Sequence, residues 1–310
     1  MTSPWIEGLR SVALNVPDLA KAEEFYTKVW HLEVAQRKDD SVYLRGSGSD
    51  HHLLALYAGG DVPQVRQVTL RARSAEALQQ VADRVVRAGG SIVTPIGPLT
   101  KNPAGGTGLT VRDPHGRIFQ VVHGDTRHAP QLPSADKPVR LTHVVLNSHA
   151  VDETKLFMEQ AFGFRLADRT GIMAFMNCNR DHHTIAIGIT DNDALNHIAF
   201  LMPDFDSVMR GSGRMIDHGY PIGWGVGRHG PGNNIFAYFT DPTGIVIEHT
   251  AEVLQVDDDY RVGGPEDWKW PPGRTDQWGI APPKSAEVKR AQLAIRFGGA
   301  SAGSHPPSLP

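Results

Sequence analysis

The sequence predicts an α+β fold assembled from four βαβββ modules, and two patterns predict it. The chain of 310 residues repeats itself at offsets of 128 to 132 residues. Each half then repeats again about every 60 residues as a strand, a helix and two or three further strands.

Taken in order, the first strand is Ser11-Val12-Ala13-Leu14-Asn15-Val16, which resembles His143-Val144-Val145-Leu146-Asn147-Ser148 in the second half. A polar, amphipathic helical stretch follows each: Leu19 to Trp30, and Asp152 to Phe162. Gly48-Ser49-Asp50-His51-His52 matches Asn179-Arg180-Asp181-His182-His183, and Gln67-Val68-Thr69-Leu70-Arg71 matches His197-Ile198-Ala199-Phe200-Leu201. Between Ser74 and Ala88, apolar Ala77, Leu78, Val81, Val85 and Ala88 recur at helical spacing, and Gly89-Gly90 ends the run. β-branched runs bounded by Gly and Pro, such as Ile92-Val93 and Ile245-Val246-Ile247, read as strands. Asp113-Pro114-His115-Gly116 and Asp241-Pro242-Thr243-Gly244 are matched turns. The expected organisation is an N-terminal domain over 1–126, a Pro-rich linker over 127–139, a C-terminal domain over 140–252 and a tail over 253–310.

The bulk numbers exclude several classes of function. A formal net charge of -3 gives no reason to expect nucleic acid or an anionic membrane as partner. No apolar run is long enough to span a bilayer, and the N-terminus lacks a signal-peptide pattern. The single cysteine, Cys178, cannot form an internal disulfide, so the expected location is cytoplasmic. Cys178 itself reads as a small packed residue.

His143, His197 and Glu248 each sit near one end of an apolar strand-like run in the second half. Two imidazoles and a carboxylate on adjacent strands make a facial triad, the donor set that suits non-haem Fe(II) in oxygen-using enzymes; Mn(II) is an alternative. A single histidine on a strand is more often packed or exposed than a ligand. The duplication supplies a control: the matching positions in the first half are Ser11, Gln67 and Gln120, so the fold does not require the triad. By the same comparison Asn147 is structural, because Asn15 occupies its place in the first half. His249 points to the strand face opposite Glu248. His218, before Gly219, reads as a helix C-terminal residue.

Gly227-Arg228-His229-Gly230-Pro231-Gly232-Asn233-Asn234, Tyr238-Phe239 and Asp241 to Glu248 together resemble the signature of type I extradiol ring-cleavage dioxygenases, within the vicinal oxygen chelate superfamily. The resemblance covers roughly residues 5 to 280 and is strongest from 140 to 252. It implies two barrel-like domains of two modules each, with the metal in the C-terminal one. It implies that His143, His197 and Glu248 bind Fe(II), that dioxygen is a co-substrate, and that a catechol is cleaved beside its hydroxyls to a ring-opened semialdehyde or keto acid. It places a proton-transferring histidine at His183, an active-site tyrosine at Tyr238 and a further cleft histidine at His229. It places pocket-wall residues at Phe175 and Val145, to which Ile172 and Trp224 add apolar or aromatic surface. It also implies a homo-oligomer.

Alternatives stay open at this stage. His182 competes with its neighbour His183, and the His51-His52 pair shows that such a dipeptide occurs without a metal. A metal-dependent isomerase or lyase, or a small-molecule binding protein, is possible on the same scaffold. Such proteins would not need His183, Tyr238 and His229 together. Arg228 and Arg274 are candidates to meet a substrate carboxylate, but either reads equally well as structural. The tail carries Trp268, Trp270 and Trp278 in a Pro-rich segment that needs a surface, either as a strap over the site or on a neighbouring subunit. From Gly298 onward the composition reads as disordered.

Overall fold

The computed structural model describes residues 2–298. Two eight-stranded sheets repeat one topology. In the first half the elements are β1 (Ile6–Val16), α1 (Leu19–Glu24) continuing as a π-turn (Phe25–Val29), β2 (Glu33–Lys38), β3 (Ser41–Arg45), β4 (Leu54–Ala58), β5 (Gln64–Ala72), α2 (Ala75–Arg87), β6 (Ser91–Pro98), β7 (Thr107–Arg112) and β8 (Ile118–His123). In the second they are β9 (Arg140–Ser148), α3 (Val151–Phe162), β10 (Arg165–Arg169), β11 (Met173–Asn177), β12 (Ile185–Ile189), β13 (Leu195–Leu201), α4 (Phe205–Asp217), β14 (Trp224–Arg228), β15 (Ile235–Thr240) and β16 (Val246–Ala251). A short helix, α5 (Ala286–Ala291), follows in the tail.

The strand orders are β2-β3-β4-β1-β5-β8-β7-β6 and β10-β11-β12-β9-β13-β16-β15-β14. Each sheet ends in two edge strands, so these are open curled sheets where closed barrels would have no edge. The expected helix between Ser74 and Ala88 is present as α2. The Ser74 side chain accepts from the Ala77 N–H at its start, and Gly89 turns away at φ 86°. The expected helix from Leu19 to Trp30 is α-helical only to Glu24 and then loosens into the π-turn, which presents Phe25, Tyr26 and Val29 to the interior.

One faces-inward core joins the halves. It includes Trp30, Phe119, Phe157, Phe162, Phe200 and Phe239, all fully or almost fully buried. Trp30 stacks on His249 with ring centroids 3.7 Å apart, and the Tyr26 hydroxyl donates to Asp241 Oδ2 at 2.8 Å. Arg117 reaches from the first half to the Asn147 carbonyl and to Asp193. The opposite, concave faces carry separate small apolar groups: Ala13, Tyr43 and Ala55 in the first half; Val145, Phe175 and Ala186, and then Phe236, Tyr238 and Val246, in the second. The strand period of two thus sends one set of side chains to the shared core and leaves the other lining a cleft.

The tail runs over its own C-terminal half. Gly263 N–H donates to Asp168 Oδ1, Gln277 Nε2 to the His229 carbonyl, and Ser285 N–H to the Gly223 carbonyl. Trp268 and Trp270 lie against Gly230, where a Cβ would meet the Trp270 ring at 2.7 Å. Gly298 N–H donates to the Val65 carbonyl, so that residue is ordered. The rest of the segment expected to be disordered lies outside the described residues. Among the described residues no helix is long and apolar enough to cross a membrane.

Candidate metal centre

Strand register builds the cluster. On β9 and β13, His143 pairs with Ala199 and Val145 with His197. On β13 and β16, Ala199 pairs with Glu248. His143, Ala199 and Glu248 therefore form one row across three strands, and His197, two residues before Ala199, shares its face. The ligand atoms of His143, His197 and Glu248 all lie within 4.8 Å of one another. Nε2 of each imidazole is 3.1 Å from Glu248 Oε2.

The first half repeats the register with other side chains. Ser11 pairs with Thr69, Thr69 with Gln120, and Ala13 with Gln67. There Ser11, Gln67 and Gln120 line a cavity of about 310 Å³. The same strand register exists in both halves, and only the second carries the donor set.

These donors suit a divalent cation. Burial lowers the His143 pKa to about 3 and that of His197 to about 4, so both are neutral lone-pair donors near neutral pH. Glu248 is fully buried, and no arginine or lysine among the described residues lies within ion-pair distance of it. A buried carboxylate surrounded by neutral imidazoles needs a compensating positive charge. Two nitrogens and one carboxylate oxygen fit Fe(II) or Mn(II) and leave further coordination positions open.

Supporting groups orient the donors. His197 Nδ1 lies 2.8 Å from Asn196 Oδ1, which directs Nε2 to the cluster. Asn234 Nδ2 donates to Glu248 Oε1 at 3.4 Å and to Thr250 Oγ1 at 2.8 Å. Asn147 serves structure: its amide donates to Asn192 Oδ1 and the Gln292 carbonyl, and its oxygen accepts from Asn196. Asp168 and Asn196 were not singled out in the sequence, where each is one polar residue on a strand.

His183 stands beside the cluster, its ring centroid 4.2 Å from that of His143, with Phe175 5.2 Å away. Its neighbour His182 points elsewhere, with Nε2 2.8 Å from Asp168 Oδ2. Tyr238 pairs with Glu248 across β15 and β16, and its hydroxyl is 3.4 Å from His197 Nε2 and 3.0 Å from His229 Nε2. Burial drives the His183 and His229 pKa values well below the ordinary imidazole value. Burial and the nearby Glu248 charge drive that of Tyr238 well above the phenolic value. At neutral pH the cleft therefore offers two neutral imidazoles and one phenol that holds its proton.

Of the expected pocket residues, Val145 and Phe175 share one apolar group with Ala186 and Met173, and Trp224 stacks near Tyr238 with ring centroids 5.0 Å apart. Ile172 corrects the expectation. It is 67% exposed on the turn between β10 and β11, and its neighbour Met173 takes the wall position, because alternation along β11 sends 173 and 175 to the same face. Arg228 is occupied by Glu252 and the Asn233 carbonyl, and Arg274 packs against Gly279. His249 lies in the interior on the opposite face, and His218 closes α4 with Nδ1 2.9 Å from the Arg214 carbonyl. Cys178 is buried beside Thr184, with its thiol pushed up to about 12 by burial.

Two open sheets of paired βαβββ units, one with a candidate metal centre on its concave face, define a duplicated βαβββ protein. The chain belongs to the Glyoxalase/Bleomycin resistance protein/Dioxygenase superfamily, whose family model matches residues 8–121 and 140–249. It is similar to metapyrocatechase 2 of Cupriavidus necator, at 27% identity over 86% of this chain and 85% of that protein. It is also similar to a manganese-dependent 2,3-dihydroxybiphenyl 1,2-dioxygenase of Geobacillus genomosp. 3, at 24% identity over 74% of this chain and 80% of that protein. Among solved structures, the Mn(II)-bound glyoxalase from Novosphingobium aromaticivorans superimposes with a TM-score of 0.84 at 31% identity, covering 98% of this chain and 97% of that one.

Proposed function

We propose that this protein is an extradiol dioxygenase that opens a catecholic ring beside its hydroxyls, with a divalent metal held by His143, His197 and Glu248. The observation that carries the reading is the grouping of that donor set with His183, Tyr238 and His229 in one buried cleft. A non-redox isomerase or lyase has no evident use for all six. The similarity to metapyrocatechase 2 supports the same chemistry.

When bound, a divalent iron would lower the pKa of catechol hydroxyls and couple the ring to dioxygen. The protein's own groups would manage protons and orientation. His183, neutral in the cleft, accepts a proton from a substrate hydroxyl and later returns it. Tyr238 keeps its proton and donates a hydrogen bond to a substrate oxygen. His229, set by Tyr238, stabilises charge that develops on the opposite side. Val145, Phe175, Met173 and Trp224 hold the ring by its faces and edge. Iron is preferred on the chemistry, and the manganese-dependent relative makes Mn(II) the second candidate.

The test is oxygen uptake by metal-loaded protein against a panel of catechols, with a scan for a new visible band from the ring-opened product. Stoichiometric oxygen use supports the assignment. Metal binding without oxygen uptake across the panel would sink it.

A further inference from the structure

On the proposed catechol-cleaving reading, the cleft holds a positive charge that the reaction itself does not require. Trp224 pairs with Tyr238, and Tyr238 with Glu248, across β14, β15 and β16, so all three side chains share the concave face. The ammonium of Lys284, from the tail, lies over this surface. It is 4.4 Å from the centre of the Trp224 ring and 5.8 Å from that of Tyr238, whose hydroxyl touches His197.

Among the described residues this ammonium meets no carboxylate within ion-pair distance; the carboxylate charge it feels is that of Glu248, a candidate metal ligand whose charge a bound cation would offset. The hydrogen-bond partner of Lys284 is the neutral Gln292 Oε1 at 3.2 Å. A half-buried cation set against aromatic rings normally has an anionic partner. The segment that carries Lys284 is also anchored. Ser285 N–H donates to the Gly223 carbonyl, Ser285 Oγ accepts from Val288 N–H, and Val288 is buried against β14 and β15. Asn147 holds the Gln292 carbonyl at 2.7 Å and accepts from Asn196, which in turn contacts His197. A chain of hydrogen bonds thus fixes the lysine's support relative to the candidate metal ligands.

The opposite wall is apolar, formed by Val145, Phe175, Ala186 and Met173. Arg228 on β14 is spent on Glu252 and the Asn233 carbonyl. A ring seated between these walls meets hydrocarbon on one side and, on the other, an ammonium with no direct ion-pair partner. We infer that Lys284 determines specificity: it pairs with a carboxylate borne by the substrate away from its two hydroxyls, so the preferred substrates are catecholic acids. Trp224 stacks under the ammonium and keeps it aimed inward.

The experiment compares a catechol bearing a carboxymethyl group with its methyl ester, in wild type and in Lys284→Met and Lys284→Arg. Two readouts are taken: kcat/KM for ring opening, and calorimetric Kd for the unreactive monophenol acid and its ester on metal-loaded protein. Using the acid-to-ester ratio within each protein cancels any general loss of activity. A charge-assisted hydrogen bond predicts a wild-type ratio of about ten to a hundred in favour of the acid, expressed mainly in KM. Lys284→Met should bring both ratios close to one, and Lys284→Arg should keep most of the preference. Turnover of both compounds without an acid preference, or a preference that survives in Lys284→Met, overturns the role of Lys284 and leaves the dioxygenase reading intact. No turnover, with a Lys284-dependent binding preference, overturns the dioxygenase reading and leaves Lys284 as the anion-binding residue.

Discussion

His182 Nε2 lies 2.8 Å from Asp168 Oδ2, and that pairing engages the His182 ring while the adjacent His183 ring stands 4.2 Å from His143. Asp168 also accepts from the Tyr260 hydroxyl and the Gly263 N–H, so it is a fixed acceptor. His182 gives its Nε2–H to Asp168, and its Nδ1 lies 3.1 Å from His183 Nδ1. We propose that the His183 Nδ1–H donates across that contact, which leaves His183 Nε2 as the free base.

This relay makes a graded prediction for activity. His183→Ala should lower kcat by about a hundredfold or more, the range of a lost general base. Asp168→Asn should lower it roughly tenfold with a displaced pH profile, because the His182 tautomer is no longer enforced. Metal content, measured by elemental analysis, should be unchanged in both. An Asp168→Asn protein with wild-type kcat and pH profile would show that packing alone orients the pair.

Asn196 should act on the metal rather than on proton transfer. Its Oδ1 faces His197 Nδ1 at 2.8 Å, and its own amide is held by Asn147. Removing such an orienting partner typically costs about ten- to a hundredfold in metal affinity. Asn196→Ala should show that loss in competition with a chromophoric chelator. Full affinity in the variant would assign the orientation of His197 to the strand alone.

Gly223 links the tail to the sheet by contact of a different kind. A Cβ there would lie 2.1 Å from Val288 Cγ2, so even alanine forces α5 away from β14. Gly223→Ala should therefore lower stability by about 1–3 kcal/mol, as overpacking does. It should also weaken the acid preference assigned to Lys284, which precedes α5. Urea denaturation and the acid-to-ester ratio, measured on the same preparation, test both effects. Wild-type values of both would mean that the tail does not rest on the sheet through this contact.

The parts legible in the sequence were those set by local pattern and by duplication. His143, His197 and Glu248 stood out because Ser11, Gln67 and Gln120 hold the same register in the other half. The α2 limits followed from Ser74 and Gly89, which act within a few residues of themselves. Ile172 misled because its hydrophobicity does not tell a turn residue from a wall residue, and one step separates it from Met173, the first residue of β11. Lys284, Asp168 and Asn196 were illegible for another reason. Each acquires its role through a partner distant in the chain, and a lone polar residue in a strand or a Pro-rich tail carries no sign of that partner. The π-turn after Glu24 belongs here too, since it serves Trp30 and Tyr26 in contacts with the opposite half.

His249 gives a pH dependence of stability that is separable from the site. Its ring is fully buried against Trp30, and neither nitrogen has a hydrogen-bond partner among the described residues. Burial, helped by the charges of Arg214 and His31, holds its pKa well below the ordinary imidazole value. The unfolded chain then binds a proton near pH 6.5 that the folded chain refuses until much lower pH. The contribution is fully present above the unfolded pKa and is lost as pH falls from 6.5 toward the depressed folded value. One unit below the unfolded pKa, at pH 5.5, the loss is about 1.4 kcal/mol. His249→Phe keeps an aromatic ring on Trp30 and removes the titration. In metal-free protein, the stability difference between pH 7.5 and 5.5, from urea curves, should be smaller in the variant by about that amount. Any fixed packing cost of the substitution cancels in the difference. Equal pH dependence in the two proteins would mean that His249 gains a proton in the folded state, which its complete burial argues against.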